Sequence, residues 1–156
     1  MTLNKKQNNI GLAFAAALAI ATPFVASHEG LRLKAYPDPV GIPTICYGST
    51  ARVYYGQTMT KEECDKLLQT ELKVYAEAVN RLVKVPMTHP RQAALISFTY
   101  NVGIGNFQHS TLLKKLNSGD TVGACKELPK WVYAKGVKLP GLVKRREKEK
   151  ELCLLF

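Results

Sequence analysis

The stretch His28–Gly48, "HEGLRLKAYPDPVGIPTICYG", places Glu29, then Asp38 nine positions on, then Thr44 six further on. Gly30, Pro37, Pro39, Gly41 and Pro43 break the chain around them. Such punctuation reads as tight turns between short strands. Two carboxylates and a hydroxyl are therefore held on a hairpin-like segment. An uncharged apolar run, Ile10–Ala26, comes directly before it.

Working outward, residues 31–59 alternate short Val/Ile/Tyr runs with turn residues. "LKAY", "TICYG" and "RVYYG" are candidate strands of a small antiparallel sheet. Thr60 and Glu63 then form a capping-box pattern. Cys64, Leu67, Leu68, Leu72, Tyr75, Val79 and Leu82 recur at helical spacing, which predicts a long amphipathic helix ended by Pro86. "THPRQAALISFTYNVG" predicts a second helix, "GIGNF" a turn, and "STLLKKLN" a short helix capped by Ser110. "DTVGACKELPKWVYAKG" reads as helical with an interruption at Pro129. The last helix starts at Pro140 or Gly141, and its "KRREKEKE" reads as a solvated face. The fold class is α+β, with a small antiparallel sheet lobe and a larger helical lobe joined by the long helix.

The chain has 156 residues, 46% hydrophobic and 22% charged, which suits one globular domain. Its net charge of +10 implies an anionic partner such as nucleic acid, acidic lipid or a wall polymer. No zinc-finger or helix-turn-helix spacing accompanies the charge, so nucleic acid is not expected. His28, His89 and His109 are scattered and form no ligand set. No metal or cofactor is expected, and the chain should be a monomer.

Lys5 and Lys6 precede the apolar run, as in an export signal. Its 17 residues are at the lower edge for a membrane span, and many are alanine. It can be a cleaved signal peptide, a retained anchor or a buried soluble helix. Cleavage near Val25–Ser27 would leave Glu29 almost at a fraying N-terminus, which favours retention. Thr22, Pro23 and Gly30 suit the N-cap, first turn and stop of a short helix Pro23–Glu29. The same residues could thus serve lipid first and water later.

At a helix C-terminus the macrodipole disfavours a negative carboxylate, while a polar turn keeps one ionised. Glu29 as acid and Asp38 as base would make the pair that glycosidic cleavage needs, with Thr44 helping to hold a water. The bland alternative is a helix-end residue and a turn residue.

"EGLRLKAYPDPVGIPTICYGST" closely resembles the opening of the phage-type lysozymes, endolysins that hydrolyse peptidoglycan. Glu29, Gly30, Ala35, Tyr36, Asp38, Gly41, Thr44, Tyr47 and Gly48 match that family's pattern. Cys46 stands where glycine is common and Ser49 where histidine often follows. "RQAALISFTYNVGIGNF" and "GLVKRREKEKELC" resemble its later segments. The resemblance implies a lysozyme-like fold over residues 28–156 and cleavage of the β-1,4 bond between N-acetylmuramic acid and N-acetylglucosamine. Glu29 would protonate the leaving oxygen, and Asp38 and Thr44 would position water. Asn101 and Gly103, with Phe107, would line the sugar cleft, the alternative being core packing and a helix stop.

Residues 1–27 resemble the signal-anchor-release segment of some lambdoid endolysins. The resemblance implies passage through the host secretion machinery and an inactive stage at the periplasmic face of the inner membrane, held through residues 10–26, before release to the periplasm. This anchor has no cysteine, so inhibition through an anchor thiol is not available and would have to be conformational. For the four cysteines the expected pairing is Cys46 with Cys64 and Cys125 with Cys153, against the alternative of four free thiols. The rival function is a non-enzymatic cationic protein that disrupts membranes or binds walls.

Overall fold

A computed structural model describes the backbone of residues 3–156 and the side chains from residue 14 onward. Met1 and Thr2, which begin the expected anchor segment, lie outside the described residues, as do the side chains of residues 10–13 within its apolar run.

Helix α1 (Leu3–His28) leads into a hairpin of β1 (Arg32–Pro37) and β2 (Pro43–Cys46). Helix α2 (Lys61–Leu82) links this hairpin to α3 (His89–Val102), α4 (Ile104–Gln108), α5 (Thr111–Asn117) and α6 (Thr121–Cys125). A 3₁₀ turn (Leu128–Lys130) and the two-residue strands β3 (Tyr133–Ala134) and β4 (Val137–Lys138) precede α7 (Pro140–Leu154). Helix α3 is the centre of the helical lobe. Gln92–Thr99 are buried without a break, because α1, α2 and α7 all pack on α3. A helix covered all round carries no single apolar stripe.

The caps are the ones the local chemistry demands. Thr60 Oγ1 accepts from Glu63 N–H at 3.1 Å, and Glu63 Oε1 accepts from Thr60 N–H at 3.2 Å. Thr88 and Ser110 cap α3 and α5 through their hydroxyl oxygens. Each such cap is worth about 1 kcal/mol.

Helix α1 departs from the expected short helix starting at Pro23. It runs unbroken through Pro23, whose missing N–H leaves the Ala19 carbonyl without its usual donor. Packing overrides that local cost. Phe14, Ala17, Leu18, Ala21 and Val25 recur at three- and four-residue spacing, and all are buried in the same core as α2 and α3. The apolar run of the N-terminus is thus a core helix in this structure. Among the described residues no helix is long and apolar enough to cross a membrane.

The sheet lobe is smaller than the sequence predicts. β1 pairs antiparallel with β2, Tyr36 opposite Thr44 and Pro37 opposite Pro43. "RVYYG" is a turn, with Arg52 in the left-handed region at φ 59°. The third edge comes instead from the following residues, where Ala35 N–H donates to Gln57 O and Met59 N–H to Leu33 O. "GIGNF", expected as a turn, forms the short helix α4, since Gly103 (φ 92°) turns the chain into a new helix axis. Residues 121–138 are helical only at their start. Pro129 directs them into the 3₁₀ turn and the β3–β4 hairpin.

The four cysteines form two bridges, Cys46 to Cys64 and Cys125 to Cys153. The first ties the end of β2 to the first turn of α2. The second ties α6 to α7.

Candidate active site

Glu29 follows α1 directly, and its N–H still donates to Val25 O at 3.0 Å, so the helix holds its backbone. Its carboxylate accepts from Arg145 Nη1 at 2.8 Å. Arg145 is buried on α7, and its Nη2 donates to both the carbonyl and the hydroxyl of Ser97 at 3.2 Å. Ser97 in turn donates to Glu149 Oε2 at 2.7 Å. Arg146 bonds Glu149 and the Asn101 side chain, donates from Nε to Trp131 O at 2.9 Å, and lies over the Phe98 ring. Burial pushes the Glu149 carboxyl above its ordinary range, and the two arginines pull against that. One buried polar network therefore reaches from α7 through α3 to Glu29.

The run "KRREKEKE" is not a uniformly solvated face. Arg145, Arg146 and Glu149 are buried, and Glu149 is completely inaccessible. Sequence reasoning missed Arg145. A usable signal existed: Leu142, Arg145, Arg146, Glu149 and Cys153 share one helical face at i, i+3, i+4, i+7 and i+11. Opposite charges interleaved with the apolar positions of a buried stripe mark an internal ion network.

A cleft of about 480 Å³ opens beside Glu29. Tyr47 to Ala51 bound it from the sheet lobe; Glu71, Val74 and Tyr75 from α2; and Tyr100 and Asn101 from the end of α3. Tyr75 and Tyr100 meet edge to face at 5.2 Å. The Tyr100 hydroxyl is pushed far above its ordinary pKa, first by burial, then by the carboxylates of Glu71 and Glu29. It stays protonated as a donor at every working pH. His28, beside Glu29, is kept below its ordinary pKa mainly by burial, with Arg145, Lys148 and Lys144 adding to the effect. Its ring packs on Phe24 at 4.8 Å between centroids.

Asp38 and Thr44 sit together at the closed end of the β1–β2 hairpin. Asp38 Oδ1 accepts from the N–H groups of Val40 and Ile42, both at 2.9 Å, while Oδ2 makes no hydrogen bond among the described residues. Thr44 Oγ1 donates its proton to Ile42 O at 2.9 Å, leaving lone pairs free to accept. Neither residue lines the cleft that holds Glu29. Asn101 does line it, with Arg146 on its side-chain oxygen. Gly103 is the stop of α3 and is not on the cleft wall. Phe107, expected to line the cleft, is fully buried edge-on to Phe98 at 6.3 Å, so it supports the site from within the core.

The sequence pattern of the phage lysozyme family matches residues 26–149. The chain belongs to the phage lysozyme family. A SAR-endolysin of Bacteriophage PS119 is 44% identical over 145 residues, covering 88% of this chain and 87% of that protein. The muramidase domain of SpmX from Asticaccaulis excentricus superposes with a TM-score of 0.82 at 36% identity, covering 87% of this chain and 95% of that one. The active form of the P1 phage endolysin Lyz superposes with a TM-score of 0.78 at 26% identity, over 85% of this chain and 81% of that one. The secreted inactive form of that endolysin gives 0.52 at 25% identity, over 67% and 74%. This phage lysozyme is thus a glycoside hydrolase of lysozyme type with the α+β lysozyme fold, and its function is that of an endolysin. Family membership sets aside the non-enzymatic cationic reading.

Proposed function

We propose that this lysozyme cleaves the β-1,4 bond between N-acetylmuramic acid and N-acetylglucosamine in peptidoglycan, with Glu29 as general acid. The observation that carries the reading is the position of Glu29: fixed by α1 behind it, oriented by a buried arginine, and open to a cleft large enough for sugar rings. Glu29 protonates the leaving glycosidic oxygen as the C1–O bond breaks. The nucleophile is a water at the hairpin. Asp38 Oδ2 and Thr44 Oγ1 each accept a hydrogen bond from that water, which aims a lone pair at C1, and Asp38 takes the one proton the water loses as its oxygen bonds to C1. Attack on the face opposite the leaving group inverts that carbon. Asn101 contributes to binding the glycan. No metal enters this scheme.

Residues 1–27 act as the tether and residues 28–156 as the catalytic unit. The chain is exported and held at the periplasmic face of the inner membrane through residues 10–26, inactive, then released into the periplasm. Three observations support this. Seven of the 17 residues in the apolar run 10–26 are alanine, and an alanine-rich segment is weakly held by lipid. Glu29 is placed by α1, so withdrawing α1 into a bilayer withdraws the general acid from its arginine. The arrangement described here superposes more fully on the active than on the inactive form of a related endolysin.

Glu29→Gln tests the catalytic reading. It keeps the shape and a hydrogen-bond acceptor for Arg145 but has no proton to give. The variant should unfold at nearly the wild-type denaturant midpoint and should clear no turbidity from purified walls; a variant that still clears them refutes the assignment. N-terminal sequencing of the periplasmic protein tests the tether: an intact start at Met1 or Thr2 supports release of the whole chain, and a start at His28 refutes it.

A further inference from the structure

The cleft is acidic on a basic protein. None of its lining residues is lysine, arginine or histidine, although the chain carries a net charge of +10. Two carboxylates face into it from different elements, Glu29 from the end of α1 and Glu71 from α2. Glu29 has Arg145. Among the described residues Glu71 makes no salt bridge and no side-chain hydrogen bond.

Nor does α2 explain it. The helical neighbours of Glu71 at three and four positions are Leu67, Leu68, Val74 and Tyr75, so no cation is placed to pair with it along the helix. Ser49, on the facing wall, brings no charge. Val74 is 56% exposed and Tyr75 half-buried beside it, which gives the Glu71 carboxylate an apolar and aromatic step of the kind that packs against a sugar ring.

We propose that Glu71 is a substrate-positioning residue, accepting a hydrogen bond from a donor group of the glycan strand or its stem peptide and so setting the strand's register against Glu29. An ionised carboxylate can only accept, so the group it takes is a hydroxyl, an amide N–H or an ammonium. The inference rests on the reading of this cleft as the glycan site.

The test compares Glu71→Ala and Glu71→Gln on purified wall sacculi and on glycan strands stripped of stem peptides by an amidase. On sacculi, Glu71→Ala should raise KM about tenfold or more while kcat changes far less, the effect of losing one charge-assisted hydrogen bond. If the donor is a stem ammonium, Glu71→Gln matches Glu71→Ala on sacculi and both approach wild type on stripped strands. If the donor is a sugar hydroxyl or acetamido N–H, Glu71→Gln stays near wild type and Glu71→Ala is impaired on both substrates. Unchanged KM for Glu71→Ala on both substrates overturns the inference, and so does a loss of kcat that follows a lowered thermal midpoint. Glu29→Gln run alongside keeps the two readings separate. If Glu29→Gln still cleaves, the assignment of Glu29 and of this cleft as the catalytic site has failed; if it is inert while Glu71→Ala binds normally, only the role of Glu71 has failed.

Discussion

Arg145 Nη1 and Glu29 Oε1 are 2.8 Å apart in space and 116 positions apart in sequence. That bond couples the docking of α1 to the assembly of the candidate active site. Arg145 is also anchored to Ser97 and close to the buried Glu149, so the edge it turns to Glu29 is held by contacts independent of Glu29. Glu29 adds a compensating charge to a nearly buried guanidinium, and the guanidinium adds a fixed orientation to Glu29.

Arg145→Ala should therefore harm both stability and activity. Removing one member of a buried charge network leaves Glu149 and Ser97 short of partners, at a cost of about 3–5 kcal/mol. Urea unfolding should report that loss. At a denaturant concentration where the variant remains folded, its wall-clearing rate should still be at least about tenfold down, because Glu29 is no longer oriented. Arg145→Lys should recover stability only in part, since an ammonium cannot span Glu29 and Ser97 as the guanidinium fork does.

The proposed tether can be tuned without touching the enzyme. Ala19 is on the exposed side of α1, whereas Ala21 is completely buried. Ala19→Leu should leave the folded enzyme's stability within about 0.5 kcal/mol and make the segment more apolar, so that more protein stays in the membrane pellet and lysis is delayed. Ala21→Leu should add an overpacking cost of about 1–3 kcal/mol to the soluble form. Equal pellet fractions for wild type and Ala19→Leu would contradict a lipid-held stage.

Each disulfide closes a loop of moderate length, with the cysteines 18 and 28 positions apart. Replacing Cys125 and Cys153 together by serine should cost about 2–4 kcal/mol. Because neither cysteine lines the cleft, kcat of the still-folded variant should be close to wild type. Thermal midpoints with and without reductant provide a second check, and a midpoint insensitive to reductant would count against the bridges.

Glu127 is buried and accepts from Lys115 at 2.6 Å and Lys130 at 2.9 Å, and these bonds hold its carboxyl below the ordinary value of 4.5. A depressed carboxyl stabilises the folded state above its unfolded pKa and loses that contribution as pH falls through the folded pKa. Wild type should exceed Glu127→Gln by about 1–2 kcal/mol at about pH 6, and the gap should close below about pH 4. Urea midpoints measured across that range test it. A gap that persists in acid would mean the lysines contribute packing rather than charge.

Several features were open to reading along the chain because they depend on neighbours a few residues away. The caps at Thr60, Thr88 and Ser110, the length of α2 and the hairpin turn around Asp38 are of this kind, since a cap or turn bonds to backbone within three or four positions. The spacing of Glu29, Asp38 and Thr44 was legible for the same reason. The β1–β2 register then sets Tyr36 against Thr44 and leaves Asp38 just beyond.

Other features depended on partners remote in sequence. Pro23 is a poor interior helix residue, yet α1 continues through it because burying Phe14, Leu18 and Val25 against α2 and α3 outweighs one lost hydrogen bond. The "KRRE" segment has the composition of a wet helix face, yet Arg145 and Arg146 within it are buried because Ser97, Asn101 and Glu29 converge on them from α3 and the end of α1. Charge pattern alone could not tell these outcomes apart. A carboxylate and a guanidinium cost several kcal/mol each to take out of water unless they find each other, and whether they do depends on where the rest of the chain folds.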